Sequence, residues 1–480
     1  MHDERLAEYG VALAGAVNAA ATSHLVREDG EEDLLFALWS PSRGTHRQTA
    51  LVHTLVLPED GERQRHGNVS FNPAYFERVC SEAARGGCGI AFLHSHPAPG
   101  WQGMSRDDVR AESRMAPAVL GSTDLPLVGM TVGEDGTWSA RFWERTAPRT
   151  YDRRWCAAVR VVGDTLRADF ADHLVRPPEW REEFKRTLTV WGLETHSTLA
   201  RLSVGIVGLG SVGSVVAEAL ARMGVERFVL IDFDEVQRHN RDRLLGAGPR
   251  DLGRLKVAVA ARQIRHASTA ARVEVTQVPH AVTEEAGYRA AVDCDVLFSC
   301  VDRPWPRQVL NHLAYAHLIP VIDGGIQVRF RHGRFAGADW QLQTVRPGRP
   351  CLECLGAYST GDAATEREGM LDDPSYLSGL PADHRFKRNE NVFPFSANLA
   401  ALEVLHFVAL VNGERGIEAG VQRFRTMPGI LEPVDVSVCK EGCDAADLIG
   451  QGDRWFSLHG QLDHTASLAR ERQRKARAAA

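Results

Sequence analysis

The stretch that decides the fold is LSVGIVGLGSVGSVVAEALARMG, residues 202–224, followed closely by RFVLID, residues 227–232. It combines an apolar strand, a glycine-rich turn at Gly208, Gly210 and Gly213, an apolar helix and a second strand. Glycines at these positions let backbone N–H groups approach a phosphate at the helix N-terminus, where the helix dipole favours negative charge. Strand and helix patterns keep alternating downstream, which predicts an α/β fold with a mostly parallel, Rossmann-like sheet.

The second strand ends at Asp232, which is placed to bond the hydroxyl groups of a ribose. NAD-dependent dehydrogenases share this combination of glycine turn and acidic residue. On these residues alone, an NAD enzyme and an ATP enzyme are equally good interpretations.

The residues that follow favour ATP. Asp234, Asn240, Arg243 and Lys256 come next, and Asp302 follows an apolar strand further on. Attack of a carboxylate on an α-phosphate needs nearby cations because negative charge accumulates there, whereas hydride transfer needs few. Arg243 and Lys256 are candidates to neutralise a triphosphate, and Asp302 to hold Mg²⁺. Each of these side chains, taken singly, is equally well explained as a surface salt bridge.

This order of motifs resembles the family of ubiquitin-like-protein activating enzymes, which includes the bacterial adenylyltransferases ThiF, MoeB and HesA. The resemblance covers about residues 185–450 and implies ATP-dependent adenylation of the C-terminal carboxylate of a ubiquitin-like or sulfur-carrier protein ending in Gly-Gly. It also implies a homodimer, in which Arg186 reaches the partner's ATP. The sequence departs from the family at two positions, since no glutamine follows Leu244 and Arg303 replaces an asparagine.

Two close pairs of cysteines, Cys351-x-x-Cys354 and Cys439-x-x-x-Cys443, are separated by a long interval. Four thiolates bind Zn²⁺ tetrahedrally, and each pair fits on one tight turn. The family resemblance also implies a structural zinc at this place.

Relatives that form a thioester carry a reactive cysteine after the first zinc pair, but no cysteine lies between Cys354 and Cys439. Cys294 and Cys300 are predicted to be core thiols with raised pKa values. The sequence therefore predicts an enzyme that stops at the acyl-adenylate or passes it to a nucleophile of a partner.

A second group of candidate metal ligands lies near the N-terminus, in GIAFLHSHPAPGWQGMSRDDV. His94 and His96 sit at i and i+2 at the end of a predicted strand, so they point to the same face and can share a metal. With Ser105 and Asp108 they resemble the JAMM (MPN) metalloprotease family, which cuts extensions or isopeptide bonds of ubiquitin-like proteins. The resemblance implies Zn²⁺ held by His94, His96 and Asp108. The loop before Ser105 is one residue longer than usual, so Asp107 is the alternative ligand.

The same resemblance assigns two further roles. Ser105 would stabilise the oxyanion of the tetrahedral intermediate, and an upstream glutamate would act as general base. Glu32 matches that place, and the neighbouring Glu31 is the alternative, since only strand phase separates them.

Length, charge and composition indicate the class of protein. The chain has 480 residues, a formal net charge of −6 and nine cysteines. Its scattered basic residues predict no nucleic-acid surface, and its glycine-broken apolar stretch at residues 202–220 predicts no membrane span. The polar N-terminus makes a secretory signal improbable, and nine cysteines in a long chain without such a signal make a disulfide framework improbable, so we expect a cytoplasmic protein. We expect a metalloprotease-like domain at 1–148, a connector with a hairpin and a proline-opened helix (177–188) at 149–184, the adenylyltransferase at 185–450 and a tail at 451–480.

Both predicted domains point to one class of substrate. The metalloprotease would either expose a terminal glycine before adenylation or release conjugates made afterwards. The alternative is adenylation of a short peptide's C-terminus, as in natural-product maturation, with the N-terminal domain as a binding module. A third possibility, an N-terminal domain that has lost activity, is disfavoured because His94, His96, Ser105 and Asp108 are all present.

Overall fold

A computed structural model of the protein describes residues 8–454, apart from 67, 333, 382–390, 414–419 and 437. Its internal contacts divide the chain into two units. Within the described residues, the first contains 8–177, Ala316–Leu318 and 447–454, and the second contains the residues between them.

The first unit is built on a nine-stranded mixed sheet in the order β11-β10-β1-β3-β2-β6-β7-β8-β9. The pairs β1–β3, β1–β10 and β6–β7 are parallel, and the other pairs are antiparallel. β4 and β5 form a separate two-stranded sheet. The strands of this unit are β1 (Glu8–Ala14), β2 (Leu34–Arg43), β3 (Arg47–Val56), β4 (Arg63–His66), β5 (Asn68–Phe71), β6 (Gly89–Ser95), β7 (Leu127–Val132), β8 (Trp138–Ala147), β9 (Thr150–Trp155), β10 (Ala158–Val162) and β11 (Leu166–Phe170).

Both faces of this sheet are covered, so β6 is buried along its whole length and β2 is buried up to Ser42. In β2, Leu35, Ala37 and Trp39 enter one hydrophobic core, and the alternate residues enter the other. Helix α1 (Gly15–Leu25) packs on the first core, while α2 (Pro73–Gly86) and α3 (Arg106–Thr123) pack on the second. The even-numbered residues of β6 face the second core, so His94 is directed toward α3.

The ends of helix α2 follow local rules. The side chain of Asn72 accepts a hydrogen bond from the Tyr75 N–H at 3.0 Å, and a proline begins the first turn. Gly87 ends the helix with φ of 61°, a left-handed conformation that glycine adopts without steric cost.

Residues 149–184 do not form the expected connector. The predicted hairpin is present as β10 and β11, but β10 pairs with β1 and therefore belongs to the first sheet, as does β9. The helix expected at 177–188 begins only at Lys185, after a short 3-10 turn at Glu182–Phe184. It continues to Arg201 as α4 (Lys185–Arg201), with a kink at Gly192, where φ is 81°.

A segment from far along the sequence completes the first unit. The backbone N–H of Arg43 donates to Asp453 Oδ2 at 3.0 Å, and Arg454 Nη1 donates to Ser40 Oγ at 3.3 Å. Gly452 is packed so closely that a Cβ atom would lie under 3.0 Å from the Pro41 carbonyl oxygen. Residues 451–454 of the expected tail are thus part of a folded unit, and the rest of that tail lies outside the described residues.

The second unit contains an eight-stranded sheet in the order β14-β13-β12-β15-β16-β17-β18-β19. The first five strands are parallel and the last three pairs antiparallel, which confirms the predicted α/β architecture. Its strands are β12 (Ser203–Val207), β13 (Arg227–Ile231), β14 (Glu274–Val278), β15 (Val296–Ser299), β16 (Val321–Arg331), β17 (Arg334–Val345), β18 (Gln422–Arg425) and β19 (Ile430–Pro433). Its helices, besides α4, are α5 (Ser211–Arg222), α6 (Lys256–Ala267), α7 (Glu285–Val292), α8 (Pro304–Ala316), α9 (Thr360–Arg367), α10 (Pro374–Gly379) and α11 (Phe393–Asn412), and α12 (Ala445–Leu448) follows.

One helix within the described residues, α11, is long and apolar enough to cross a membrane by length and composition alone. Half of its most apolar window is buried, and it packs against α5, β16 and β17. Composition and length do not distinguish such a core helix from a membrane span.

Candidate functional sites

The glycine turn joins β12 to α5 at the carboxyl end of the parallel strands, where α/β sheets bind ligands. Gly208 has φ of 88°, and a Cβ there would lie 2.5 Å from the Cys300 carbonyl oxygen. A Cβ on Gly213 would lie under 3.0 Å from the Gly208 carbonyl oxygen, whereas one on Gly210 would meet nothing within 4 Å. Gly208 and Gly213 therefore allow the tight turn, and Gly210 leaves space above it.

Asp232 is buried and holds this turn. Its Oδ2 accepts the Leu209 N–H at 2.6 Å, and its Oδ1 accepts the Asp234 N–H at 2.7 Å. The predicted contact with a ribose therefore uses a carboxylate that already shapes the turn. Burial raises the pKa of Asp232, and the nearby charge of Lys256 opposes this effect.

Lys256 begins α6 and reaches back to the same place. Its Nζ lies 2.7 Å from Asp234 Oδ2 and 4.0 Å from Asp232 Oδ2. Burial lowers the pKa of Lys256, but the carboxylates of Asp232, Asp234 and Asp302 outweigh burial and leave the pKa above its ordinary value. The site thus holds a charged lysine beside the glycine turn.

The remaining predicted nucleotide residues either bond to neighbours in their own loop or are exposed. The side chain of Asn240 caps a short 3-10 turn by accepting the Gln237 N–H at 3.0 Å. Arg243 Nη1 donates to the His239 carbonyl oxygen at 2.7 Å and pairs with Asp242 at 2.9 Å. Asp302 is exposed three residues after the end of β15, and Arg186 is exposed at the start of α4.

The structure adds a buried polar cluster that the sequence did not suggest. Asp323, at the end of the parallel part of β16, accepts hydrogen bonds from Ser299 Oγ at 2.6 Å, Arg307 Nε at 3.2 Å and Gln343 Nε2 at 2.7 Å. These residues are separated by up to 44 positions and share no short motif. Only the placement of Asp323 opposite the carboxyl end of β15 could have drawn attention to them.

Cys300 lies behind the glycine turn, and its thiol is 3.9 Å from Glu403 Oε2. Burial raises its pKa well above the ordinary value, with a further contribution from the Glu403 carboxyl group. The prediction of an unreactive core thiol is in accord with this environment, since the thiolate is the nucleophilic form.

The two cysteine pairs converge. The four sulfur atoms of Cys351, Cys354, Cys439 and Cys443 lie within 4.8 Å of one another. The Cys351 N–H donates to Cys439 Sγ at 3.2 Å, and the Lys440 N–H donates to Cys354 Sγ at 3.3 Å. Burial alone would raise the pKa of Cys354, but the Lys440 N–H and the neighbouring thiols lower it below its ordinary value. Four clustered thiols that receive backbone N–H groups fit a tetrahedral metal ion.

A second convergence lies in the first unit. His94 Nε2 and His96 Nε2 are 3.3 Å apart, and Asp108 Oδ1 and Oδ2 lie 3.5 Å and 3.3 Å from them, respectively. Burial raises the pKa of Asp108, but its bonds to both histidines lower it far below the ordinary value, and the same contact raises the pKa of His96. Two nitrogens and a carboxylate on one centre, with His96 and Asp108 only partly buried, fit a metal with an open position.

The sequence left two choices open, Asp107 or Asp108 as the metal ligand and Glu31 or Glu32 as the general base, and the residues of each pair differ in exposure. Asp107 is exposed and pairs with Arg110 at 3.3 Å, so Asp108 is the acid beside the histidines. Glu31 is also exposed, whereas Glu32 is partly buried and its charge acts on His96. Ser105 caps α3, and its Oγ accepts the Asp108 N–H at 3.1 Å while its N–H donates to Asp108 Oδ2 at 2.7 Å.

A group of buried polar side chains near His94 was not predicted from the sequence. Arg141 and Glu112 are fully buried and paired, and Arg141 Nη1 donates to Thr131 Oγ1 at 2.6 Å. Thr131 Oγ1 lies 3.3 Å from His94 Nε2. An arginine in an otherwise apolar strand, as in residues 138–143, is the one signal that could have indicated such a pair.

Comparison with known proteins gives similarities to three groups. Ubiquitin-like modifier-activating enzyme 5 of Drosophila willistoni is 26% identical over 193 residues, which are 37% of this chain and 46% of that enzyme. The tRNA threonylcarbamoyladenosine dehydratase of Escherichia coli (strain K12) is 31% identical over 151 residues, which are 30% of this chain and 54% of that enzyme. The crystal structure of E. coli MccB with ATP superposes with a TM-score of 0.41 and 16% identity, covering 55% of this chain and 74% of that one.

The alignment with these curated relatives spans about half of their length. A family model, that of the ThiF family, matches residues 184–443, from the start of α4 to the last cysteine of the quartet. The match covers more than half of the 480 residues and includes the glycine turn, Lys256 and Asp302. The chain belongs to the ThiF family.

Proposed function

We propose that the second unit adenylates the C-terminal carboxylate of a ubiquitin-like or sulfur-carrier protein with ATP. The observation that carries this proposal is Lys256, a charged lysine whose side chain is only 12% exposed and lies 2.7 Å from Asp234 beside an open glycine turn. The carboxylate oxygen attacks the α-phosphorus of ATP, a carbonyl–oxygen–phosphorus link forms, and the bond to pyrophosphate breaks. The developing negative charge then lies where a lysine ammonium group stabilises it.

The other residues take supporting roles in this proposal. The N–H groups at the start of α5 face the phosphates across Gly210, and Arg243 supplies a second positive charge. Asp302, exposed at the end of β15, would hold Mg²⁺, which neutralises phosphate charge when bound. The cysteine quartet would hold a structural Zn²⁺ that ties the loop after β17 to the segment after β19.

ATP–pyrophosphate exchange tests this activity. With a suitable acceptor, we expect the Lys256→Met variant to lose about 100- to 1,000-fold in exchange rate, the effect of removing one preorganised charge from such a site. Arg254→Met is the matched control, because Arg254 is a cation two residues earlier whose side chain is 61% exposed. Equal exchange by Lys256→Met and the wild type would exclude the assigned role.

The choice of acceptor separates carrier proteins from peptides. Small proteins ending in Gly-Gly and short peptides with free C-termini are compared in the same exchange assay. Exchange with a Gly-Gly carrier supports the proposal, and exchange only with a short peptide supports peptide maturation instead.

We propose further that Arg186 acts across a homodimer. It is exposed at the start of α4, and the apolar residues Val190 and Leu193 of the same helix are 73% and 68% exposed. Arg186→Ala and Lys256→Met subunits, each inactive alone, are mixed. If the arginine serves the partner's site, mixed dimers regain one working site, about a quarter of the wild-type exchange at equal mixing. Absence of recovery would exclude an arginine that acts in trans.

We propose a second activity for the first unit, the metal-dependent hydrolysis of a peptide or isopeptide bond at the C-terminus of the same class of protein. The convergence of His94, His96 and Asp108 within 4.8 Å supports it. A zinc ion held there would supply Lewis acidity for activating water.

The residues around the three ligands fit the remaining steps. Glu32 accepts a proton from the attacking water and returns it to the leaving amine. The Ser105 oxygen already accepts the Asp108 N–H, so its own hydrogen is free to stabilise the oxyanion of the tetrahedral intermediate.

Cleavage of a carrier protein with a short extension after Gly-Gly tests this activity. We expect Glu32→Gln to lose about 100- to 10,000-fold in rate while retaining its zinc, because it removes only the general base. Glu31→Gln is the matched control, since Glu31 is exposed. Unchanged cleavage by Glu32→Gln would exclude its role, and loss with Glu31→Gln alone would reverse the two residues.

A further inference from the structure

Helix α8 begins two residues after Asp302 and carries three polar side chains on one face. Arg307, Asn311 and Tyr315 follow one another at intervals of four residues, so they form a row along the helix. Asn311 and Tyr315 are buried. Buried polar groups need hydrogen-bond partners, and the partners of this row show what the helix holds in place.

Asn311 bonds to residues 349–358, the segment after β17 that carries the first two cysteines of the quartet. Its Oδ1 accepts the Leu352 N–H at 2.8 Å, and its Nδ2 donates to the Tyr358 hydroxyl oxygen at 3.2 Å. Leu352 directly follows Cys351. The Asn311 amide group therefore fixes the backbone next to a predicted zinc ligand.

Tyr315 and Arg307 bond to the two ends of the same segment. The Tyr315 hydroxyl donates to the Arg349 carbonyl oxygen at 2.8 Å, and Arg307 Nη1 donates to the Ala357 carbonyl oxygen at 3.2 Å. Arg307 Nη2 also donates to the Gly324 carbonyl oxygen at 2.9 Å, so the same guanidinium group bonds to β16. The segment is thus held along α8 from the first turn of the helix to the last.

The first turn of α8 also sets the position of Asp302. The Cys300 N–H donates to the Val207 carbonyl oxygen at 2.9 Å, which fixes the chain before Asp302. The Trp305 N–H donates to Glu366 Oε2 at 2.7 Å, which fixes the chain after it. Asp302 therefore lies in a short link between β15 and α8, and a shift of the helix moves the carboxylate that would hold Mg²⁺.

The cysteine quartet holds residues 349–358 from another side. The Cys351 N–H donates to Cys439 Sγ at 3.2 Å, and a metal ion bonded to all four thiolates would fix the segment in this place. If the segment left α8, the Asn311 amide and the Tyr315 hydroxyl would lose their partners, and leaving buried polar groups unpaired is unfavourable. The helix and the segment therefore stabilise each other's position.

We propose that Arg307, Asn311 and Tyr315 are positioning residues through which the zinc-loaded quartet sets Asp302 for the binding of Mg²⁺ and ATP. This inference rests on the adenylation site proposed above, and it gives the quartet a part in nucleotide binding besides tying two segments together. Because linkage between two sites is reciprocal, zinc and ATP each bind more tightly in the presence of the other.

The affinity of the full-length protein for ATP in the presence of Mg²⁺, measured by equilibrium dialysis, tests the proposal. We expect Asn311→Leu, which keeps all four cysteines, to retain its zinc and to bind ATP about 5- to 150-fold more weakly, the usual range for coupling between two sites. Tyr315→Phe removes a single hydroxyl group and should weaken ATP binding about 2- to 10-fold, so the test stands even if Asn311→Leu folds poorly. Removal of zinc from the wild type with a chelator should weaken ATP binding about as much as Asn311→Leu does, and should cause little further loss in that variant.

Two comparisons distinguish the positioning of Asp302 from general damage to the unit. Asn311→Leu should bind AMP as the wild type does, because AMP lacks the outer phosphates that share a Mg²⁺ ion with a carboxylate. In an Asp302→Asn background, Asn311→Leu should cause no further loss of ATP affinity, since the group that it positions is already gone. Thr344→Val is the control for a buried side-chain hydrogen bond elsewhere in the unit, because Thr344 Oγ1 lies 3.1 Å from His406 Nδ1 on α11. It should bind ATP as the wild type does.

The outcomes separate this inference from the proposed activity. If Asn311→Leu and Tyr315→Phe bind ATP as tightly as the wild type while Asp302→Asn does not, the inference is overturned and the adenylation site still stands. Additive losses from Asn311→Leu and Asp302→Asn, or an unchanged ATP affinity after removal of zinc, would overturn it as well. If the wild type binds no ATP in the presence of Mg²⁺, the proposed adenylation site fails, and the inference fails with it.

Discussion

Alanine substitutions at Gly213 and Gly210 should have opposite consequences, although both glycines belong to the same turn. At Gly213, a Cβ would lie under 3.0 Å from the Gly208 carbonyl oxygen and 3.3 Å from Cys300 Cβ. The first neighbour is backbone, so α5 or the turn has to move. At Gly210, φ is −82° and nothing lies within 4 Å of the added atom.

The expected magnitudes follow from these contacts. Overpacking of a tight interior typically costs about 1–3 kcal/mol or more, against which an alanine in a helix returns at most about 1 kcal/mol. We therefore expect Gly213→Ala to destabilise the second unit by about 1–3 kcal/mol, or roughly 2–12 °C in its unfolding temperature. Gly210→Ala should cost at most about 1 kcal/mol, since glycine is only moderately better than alanine at a helix N-cap.

The two variants differ again when ATP is added. Thermal unfolding is followed with and without ATP and Mg²⁺. Gly210→Ala should unfold close to the wild type without ATP but lose most of the shift that ATP produces, because its methyl group occupies the space left for a phosphate. A Gly210→Ala variant with the full ATP shift would show that no phosphate lies over this turn. A Gly213→Ala variant as stable as the wild type would contradict the close approach of Gly213 to Gly208.

Three further predictions concern charge and metal. Lys256→Met should lose more stability at pH 8 than at pH 5. Removing Lys256 raises the folded pKa of Asp232 further above its unfolded value, so the folded state binds the proton more tightly and loses stability as the pH rises. Urea unfolding at both pH values measures this, and an equal loss at both would contradict it. Cys354→Ser should lower the zinc content by one ion per chain and destabilise the second unit. Cys80→Ser, at a cysteine outside the quartet, should leave the zinc content unchanged, and metal analysis after dialysis measures the content of both variants. Burial lowers the pKa of His53 to about 4, so the folded state binds fewer protons than the unfolded state between about pH 6.5 and 4. The first unit should therefore lose roughly 2–3 kcal/mol of stability as the pH falls through that range, and His53→Gln should reduce this loss. If the His53→Gln variant keeps the wild-type dependence on pH, the loss of stability belongs to other groups.

Much of the second unit's fold could be predicted from the sequence because the patterns that indicate it are local. The glycine turn, the apolar strands on either side and the alternation with helices lie within short windows, and the parallel sheet follows from them. The first unit was harder to delimit. β10 is parallel to β1, which lies almost 150 residues earlier, and no local pattern announces such a pairing. The hairpin was therefore recognised, but its place in the first sheet was not.

The candidate sites divide in the same way. His94 lies in β6 and His96 follows directly after it, and Ser105 and Asp108 share a helix start, so their joint placement needed only one contact between β6 and α3. Thr131, Arg141 and Glu112 belong to three separate elements, each ordinary in its own context. Strand phase alone did not choose between Glu31 and Glu32, because the choice depends on how the chain enters β2.

The segment at Asp447–Arg454 affects the order in which the protein can fold during synthesis. The first unit's sheet is translated by Pro177, but the residues that cap Ser40, Pro41 and Arg43 follow about 270 residues later. At about 5–20 residues per second, the ribosome needs roughly 15–55 s to reach them. During that interval the turn end of the β2–β3 hairpin in the nascent first unit lacks its cover and is open to chaperones or to premature association. A fragment ending at Pro177 would remain permanently in that state.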